Sequence, residues 1–132
     1  MTTIYFADCV IGNVFKTKTS PALPSTYYIG LSTTTPTSDG TGVSEPSDPA
    51  YTRVALTSLT APVGGVIRND QVISFPDSTE DWGTITHFVL YDARTGGNLL
   101  IYNTVDKPRL IQADSQITFK ANGLSLALKD LA

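Results

Sequence analysis

The chain has a single histidine, His87, inside the apolar run Trp82–Tyr91. An imidazole there hydrolyses a substrate only with a nucleophile and an orienting carboxylate beside it. No G-x-S-x-G elbow occurs, and Ser and Asp are too frequent along the chain to mark a triad. His87 therefore reads as a strand histidine that bonds a neighbour or faces solvent. The acidic pairs Glu80–Asp81 and Glu45–Asp48 have the residue types of a glycosidase, which needs two carboxylates facing each other across roughly 5–10 Å. Both pairs lie in loop sequence, where solvated carboxylates are the plainer reading. Asp39, Glu45 and Asp48 in one loop offer the oxygen donors that Ca²⁺ prefers, but without a dense D-x-D-x-D-G spacing. Cys9 sits in an apolar segment and reads as a buried, inert thiol. Trp82 opens a strand: it closes one end of the core with its N–H bonded, or it stacks with Tyr28 on a sugar ring. No catalytic residue, metal or cofactor is expected.

The elements that must position these residues are short. Thr3–Lys16 predicts a helix capped by Thr2 or Thr3. Phe6, Val10 and Val14 are spaced by four, as are Ile11 and Phe15, and Lys16 and Lys18 suit the negative end of its dipole. Thr17–Ser25, with Pro21 and Pro24, reads as a linker. Tyr27, Ile29 and Leu31 alternate through a strand over Thr26–Thr33. Thr34–Ala50, with three prolines and two glycines, has no apolar period and predicts a long surface loop. Tyr51–Leu59 is the next strand, and Val66–Ile67 and Val72–Phe75 flank a turn at Asn69–Asp70.

Trp82–Tyr91 and Leu99–Asn103 make a β-hairpin around Asp92–Asn98, with Gly96–Gly97 at positive φ and Tyr91 opposite Tyr102 as cross-strand partners. A turn falls at Ala113–Asp114. Ile117 and Phe119 point inward, and Leu124, Leu126 and Leu128 alternate in a last strand. The expected core includes Trp82, Phe88, Leu90 and Leu100. Short strands broken by turns every 8–12 residues predict an all-β fold, an antiparallel β-sandwich (Ig-like or jelly-roll-like) with a short N-terminal helix. Residues 1–25 are the helix and linker, and residues 26–132 the sandwich.

Composition narrows the function. Hydrophobic residues are 41% of the 132, enough for one core, but charged residues are only 16%, against about 25% in an ordinary domain. Thr and Ser number 30, so hydroxyls more than ions cover the surface. A net charge of −3 argues against nucleic acid as a partner. One Cys excludes an internal disulfide framework, and fits synthesis in a reducing cytosol. No apolar run of about 18 residues predicts a membrane span. The first 15 residues have no basic n-region and do not read as a secretory signal.

Four stretches, taken in order, resemble a known family. They are YIGLSTTTPTSDGTGVSEPS (28–47), YTRVAL (51–56), ISFPDSTEDWGTITHFVLYDARTGGNLLIY (73–102) and KPRLIQADSQITFKANGLSLAL (107–128). The pattern is similar to small virion structural proteins of tailed phages and prophages, often labelled tail-fibre or minor tail proteins. The specific part is the D-W-G-x-x-x-H-F core at Asp81–Gly83 and His87–Phe88. The resemblance implies a β-sandwich-like subunit of the virion, made in the bacterial host cytoplasm, with other phage structural proteins as partners and no catalytic motif to carry over. Relatives often have a longer, acidic N-terminal helix; here it is short and hydrophobic.

A segment as small as Thr3–Phe15 does not fold alone. It must pack on this domain or on another subunit; the expectation is the second, with Ile4, Phe6, Val10, Val14 and Phe15 as an assembly element, as in closed homo-oligomers. The Ser32–Ala50 loop, with Thr35, Asp39, Glu45 and Asp48, is the expected contact surface. An exposed edge strand is a further way to join a neighbour. The tail or neck is the expected place, with capsid decoration and a host-recognising carbohydrate-binding module as alternatives.

Overall fold

The structure, a computed structural model, describes residues 1–17 and 23–127. Lys18 and Pro21 of the expected helix end and linker, and Leu128 of the expected last strand, lie outside the described residues. Helix α1 spans Ile4–Val14. Thr3 is its N-cap: its Oγ1 accepts the Phe6 N–H at 3.3 Å and donates to Leu99 O at 2.7 Å. The helix ends in a Schellman turn. Thr17 N–H donates to Gly12 O at 3.0 Å, and Lys16 takes the left-handed conformation at φ 57°.

Among the described residues eight strands follow: β1 (Tyr27–Ser32), β2 (Val54–Leu56), β3 (Val66–Arg68), β4 (Ile73–Ser74), β5 (Gly83–Tyr91), β6 (Leu99–Ile111), β7 (Thr118–Phe119) and β8 (Ser125–Ala127). A four-stranded antiparallel sheet has the order β2-β1-β5-β6, and two antiparallel ribbons pair β3 with β8 and β4 with β7. The main core lies between sheet and ribbons: Ile29, Leu31, Phe88 and Leu90 from the sheet meet Ile73, Phe119 and Leu126 from the ribbons, with Phe75 and Ile117 beside them. The fold is all-β with one short N-terminal helix. Trp82, Phe88, Leu90 and Leu100 are all buried.

Two irregularities shape the β5–β6 hairpin. Where β5 advances two residues, from Ile85 to His87, β6 advances five, from Arg109 back to Thr104. The surplus holds Asp106, Lys107 and Pro108, and Pro108 is tolerated because it has no ladder N–H to give. The shift lets both Ile85 and Phe88, three residues apart, face the main core. Near the turn, Val89 pairs with Tyr102 and Tyr91 with Leu99. Tyr91 and Tyr102 are therefore not opposite each other as expected; the hairpin register sets Val89, two residues earlier, opposite Tyr102, and both tyrosines enter a small second cluster with Val89 and Leu99. β6 runs on as continuous strand through Lys107–Pro108, and the strand expected over Tyr51–Leu59 is only Val54–Leu56.

The sheet edges are partly covered. Met1 and Thr3 pair with the outer edge of β6, through Tyr102 N–H to Met1 O and Thr3 N–H to Leu100 O, both 2.9 Å. The N-terminal segment packs on its own domain along one side: Phe6 and Cys9 are part of the main core and Val10 packs against it. On the other side, β2 pairs with β1 only as far as Ile29. Beyond it, Leu31 N–H donates to the Tyr51 hydroxyl and Thr33 N–H to Ser44 O, both 3.0 Å. Covered edges do not template a neighbour's strand.

Candidate functional site

The long loop is tied down by three carboxylates with different partners. Asp48 is buried and accepts from Trp82 Nε1 (2.9 Å), Thr79 N (2.7 Å), Thr79 Oγ1 (2.6 Å), Glu80 N (3.0 Å) and Ala50 N (2.9 Å). Burial pushes its pKa up, but these donors outweigh burial and hold the carboxyl well below the usual range. Trp82 is 4% exposed and meets the Tyr51 ring edge-on at 5.4 Å. It closes the core and cannot stack on a sugar ring, which removes that reading of Trp82.

Glu45 belongs to a second node. It accepts from Arg53 Nε at 3.0 Å and Nη2 at 2.6 Å, and from the Tyr51 hydroxyl. Arg53 also donates through Nη1 to Ala93 O and Gly96 O, both 2.7 Å, and its guanidinium lies 3.6 Å over the Tyr91 ring. Burial lowers the Arg53 pKa, but the Glu45 carboxylate more than offsets this and raises it. Burial, then Glu45, pushes the Tyr51 hydroxyl far up. The node needs Gly30, where an added Cβ would stand 2.8 Å from the Tyr51 hydroxyl oxygen. It holds loop 34–50 against the turn Asp92–Asn98.

The loop tip faces outward. Asp39 organises a small turn, accepting from Thr37 Oγ1, Thr41 N (3.1 Å) and Thr41 Oγ1 (2.7 Å). The bond from Thr37, then those from Thr41, lowers its pKa. Thr35 and Asp39 are exposed, whereas Glu45 and Asp48 are occupied inside the chain. The four expected contact residues thus divide into two on the surface and two that hold the surface in place. No group of three or more His, Cys, Asp or Glu among the described residues is arranged to hold a metal.

His87 pairs with Ser32 and Thr104 across the sheet. Its Nδ1 shares a hydrogen bond of 2.8 Å with Thr86 Oγ1, a hydroxyl and not a carboxylate. Burial lowers its pKa. Cys9 is buried on the inner side of α1. Arg53, Tyr51 and the buried Asn69 were not singled out from the sequence. The available signal was an arginine and a tyrosine two residues apart where an apolar strand was expected.

Helix α1 divides the expected assembly residues. Phe6 and Val10 face the chain's own core, while Ile4 (44% exposed), Val14 (62%) and Phe15 (71%) face out together with Ile11 (46%). Ile4, Ile11 and Phe15 recur at i, i+7 and i+11 and so form one stripe. The stripe adjoins the loop tip: the Ile4 N–H, an otherwise orphaned first-turn donor, is satisfied by Ser38 O at 2.9 Å. Helix stripe and loop tip thus form one continuous surface on a rigid base.

Residues 2–127 match the family model described as Podophage GP4 fiber I protein gp80. The chain belongs to this family of phage fibre structural proteins. No curated protein matches it. Membership makes the chain a structural protein of a phage fibre type, associated with other phage structural proteins.

Proposed function

We propose that the chain is a fibre subunit docked in multiple copies in the tail or neck region of the particle, and that the outer stripe of α1 with the loop tip is its docking surface, taking the same surface of a second copy. The observation that carries this is the exposed apolar stripe on a helix whose other side is already used by the domain. With Val14 beside it, the stripe leaves four large apolar side chains exposed on one side of the helix, the kind of patch that marks an interaction surface. The adjoining loop tip, rich in Thr and Ser, extends the area with hydroxyl groups that carry little charge repulsion.

Removing the first 20 residues would not test this, because it would also strip Thr3, Phe6 and Cys9 from the fold. The test is the solution mass by light scattering of the full chain and of an Ile11→Ser, Phe15→Ser double variant. Both positions are exposed, so the circular dichroism spectrum should be unchanged. A defined oligomer that becomes a monomer in the variant supports the proposal. A monomeric parent chain, or an oligomer of unchanged mass in the variant, overturns it.

A further inference from the structure

A polar cleft of about 470 Å³ lies at the β6 irregularity, between it and the segment Thr118–Ser125. One wall is the surplus segment of β6 with Lys107 and Arg109; the other is the turn after β7 with Lys120. Three of the chain's nine cationic residues therefore border one cleft in a protein of net charge −3. Among the described residues Asp106 is the one acidic residue lining it. Among the described residues the only ion pair is Arg53–Glu45, so none of these three cations is neutralised by a carboxylate at contact distance.

The walls are fixed from behind. Arg109 donates through Nη1 to Thr118 O at 3.2 Å and lies 5.9 Å from the Phe119 ring centre. The turn is clamped by buried Asn69, whose Nδ2 donates to Lys120 O at 2.9 Å and whose Oδ1 accepts the Leu124 N–H at 2.9 Å. A site built on such supports does not have to be ordered by its ligand. Thr104, Thr118 and Ser125 add residues with hydroxyl groups to the lining.

From this geometry we infer that the cleft is a binding site for an acidic saccharide, with Lys107, Arg109 and Lys120 receiving the anionic substituent and the hydroxyl-bearing walls the sugar ring. Guanidinium and ammonium groups make charge-assisted hydrogen bonds to a carboxylate or a phosphate. A volume of this size holds one or two sugar rings. A long polyanion such as duplex DNA fits poorly, because three cations neutralise few phosphates and the rest of the molecule is acidic. The proposal is independent of the docking surface on α1 and survives if that surface fails.

The test is a chemical-shift titration of the full chain, at low salt and up to about 10 mM ligand. The ligands are a tetragalacturonate, glucose 6-phosphate, a neutral maltotetraose and duplex DNA. Shifts confined to Lys107–Arg109 and Thr118–Ser125 with either acidic sugar, absent with maltotetraose, support the site; the tighter of the two tells a carboxylate source from a phosphate source. A Lys107→Gln, Lys120→Gln variant, changing two exposed residues, should keep its spectrum elsewhere and bind roughly tenfold more weakly. Silence with both acidic sugars, equal shifts with the neutral one, tighter binding of DNA, or an unchanged affinity in the variant overturns the inference.

Discussion

Replacing Arg53 with Met isolates the node that holds the long loop. The substitution keeps the stem volume and removes the charge. It leaves the Glu45 carboxylate without its partner and removes the donor to the Ala93 and Gly96 carbonyls, which lie 2.7 Å from Nη1. Breaking a buried pair by deleting one member costs about 3–5 kcal/mol. The Glu45 side chain keeps 21% of its surface, so water recovers part of that cost, while each carbonyl left without a donor adds about 1 kcal/mol. The expected loss is about 4 kcal/mol, a large part of a stability of roughly 5–15 kcal/mol. Thermal unfolding should then shift down by roughly 12–15 °C for a chain of this size. Adding Glu45→Gln removes the stranded charge, so the double variant should be at least about 1.5 kcal/mol more stable than additivity requires. Urea unfolding measures both. A single-variant loss below about 1 kcal/mol, or strict additivity in the cycle, refutes the view that a desolvated ion pair anchors this loop.

Three further outcomes follow from the same structure. Lys16→Gly should stabilise the chain by about 1 kcal/mol in urea unfolding, because Lys16 occupies a left-handed position at the helix end that costs a side chain more than glycine. Asp48→Asn should be less stable than the parent at neutral pH, with the gap closing as pH falls through about 4. The folded carboxyl titrates below the unfolded one, so its contribution is present above the unfolded pKa and is lost in acid; parallel pH-dependent melts check this. The His87 pKa is lowered in the fold, so the unfolded chain binds more protons just below about pH 6.5 and stability should fall as pH drops through that value. A His87→Gln variant should lack that slope.

Period-two alternation was legible where one face is buried. Ile29 and Leu31 in β1, and Ile117 with Phe119 around β7, point inward as their spacing requires. The hairpin was legible from Gly96–Gly97, which do take φ 62° and 76°. What could not be read was anything set by a register shift. The hairpin register sets Val89 rather than Tyr91 opposite Tyr102, the five-for-two step keeps Lys107 and Pro108 inside a strand, and no residue type near that step announces a bulge of its size. The nodes at Asp48 and Arg53 were equally hidden. They join Asp48 to Trp82 over 34 residues and Arg53 to Gly96 over 43, and a loop carboxylate looks the same in sequence whether water or an indole N–H donates to it.

Helix α1 explains why the docking residues were only half legible. Its sequence IYFADCVIGNV is apolar nearly all round, and a helix of that kind is either wholly enclosed or shared between two bodies. Spacing alone cannot say which apolar side chains the domain takes. The choice is made by the first three residues. Once Met1 and Thr3 pair with the outer edge of β6 and Thr3 caps the helix, the rotation of α1 is fixed, and Phe6 and Cys9 must enter the core. Ile4, Ile11 and Phe15 are then held outward by the same constraint. Their exposure is a consequence of a rigid attachment, not of a loose terminus. Such an apolar stripe is costly to leave in water, and the docking proposed above would cover it. Expressed alone at rising concentration, the chain should therefore associate through this stripe before any other surface, with an apparent mass that climbs in the parent and stays flat in the Ile11→Ser, Phe15→Ser variant. A concentration-dependent mass that the variant shares would place the contact elsewhere and sever the link between helix rotation and assembly.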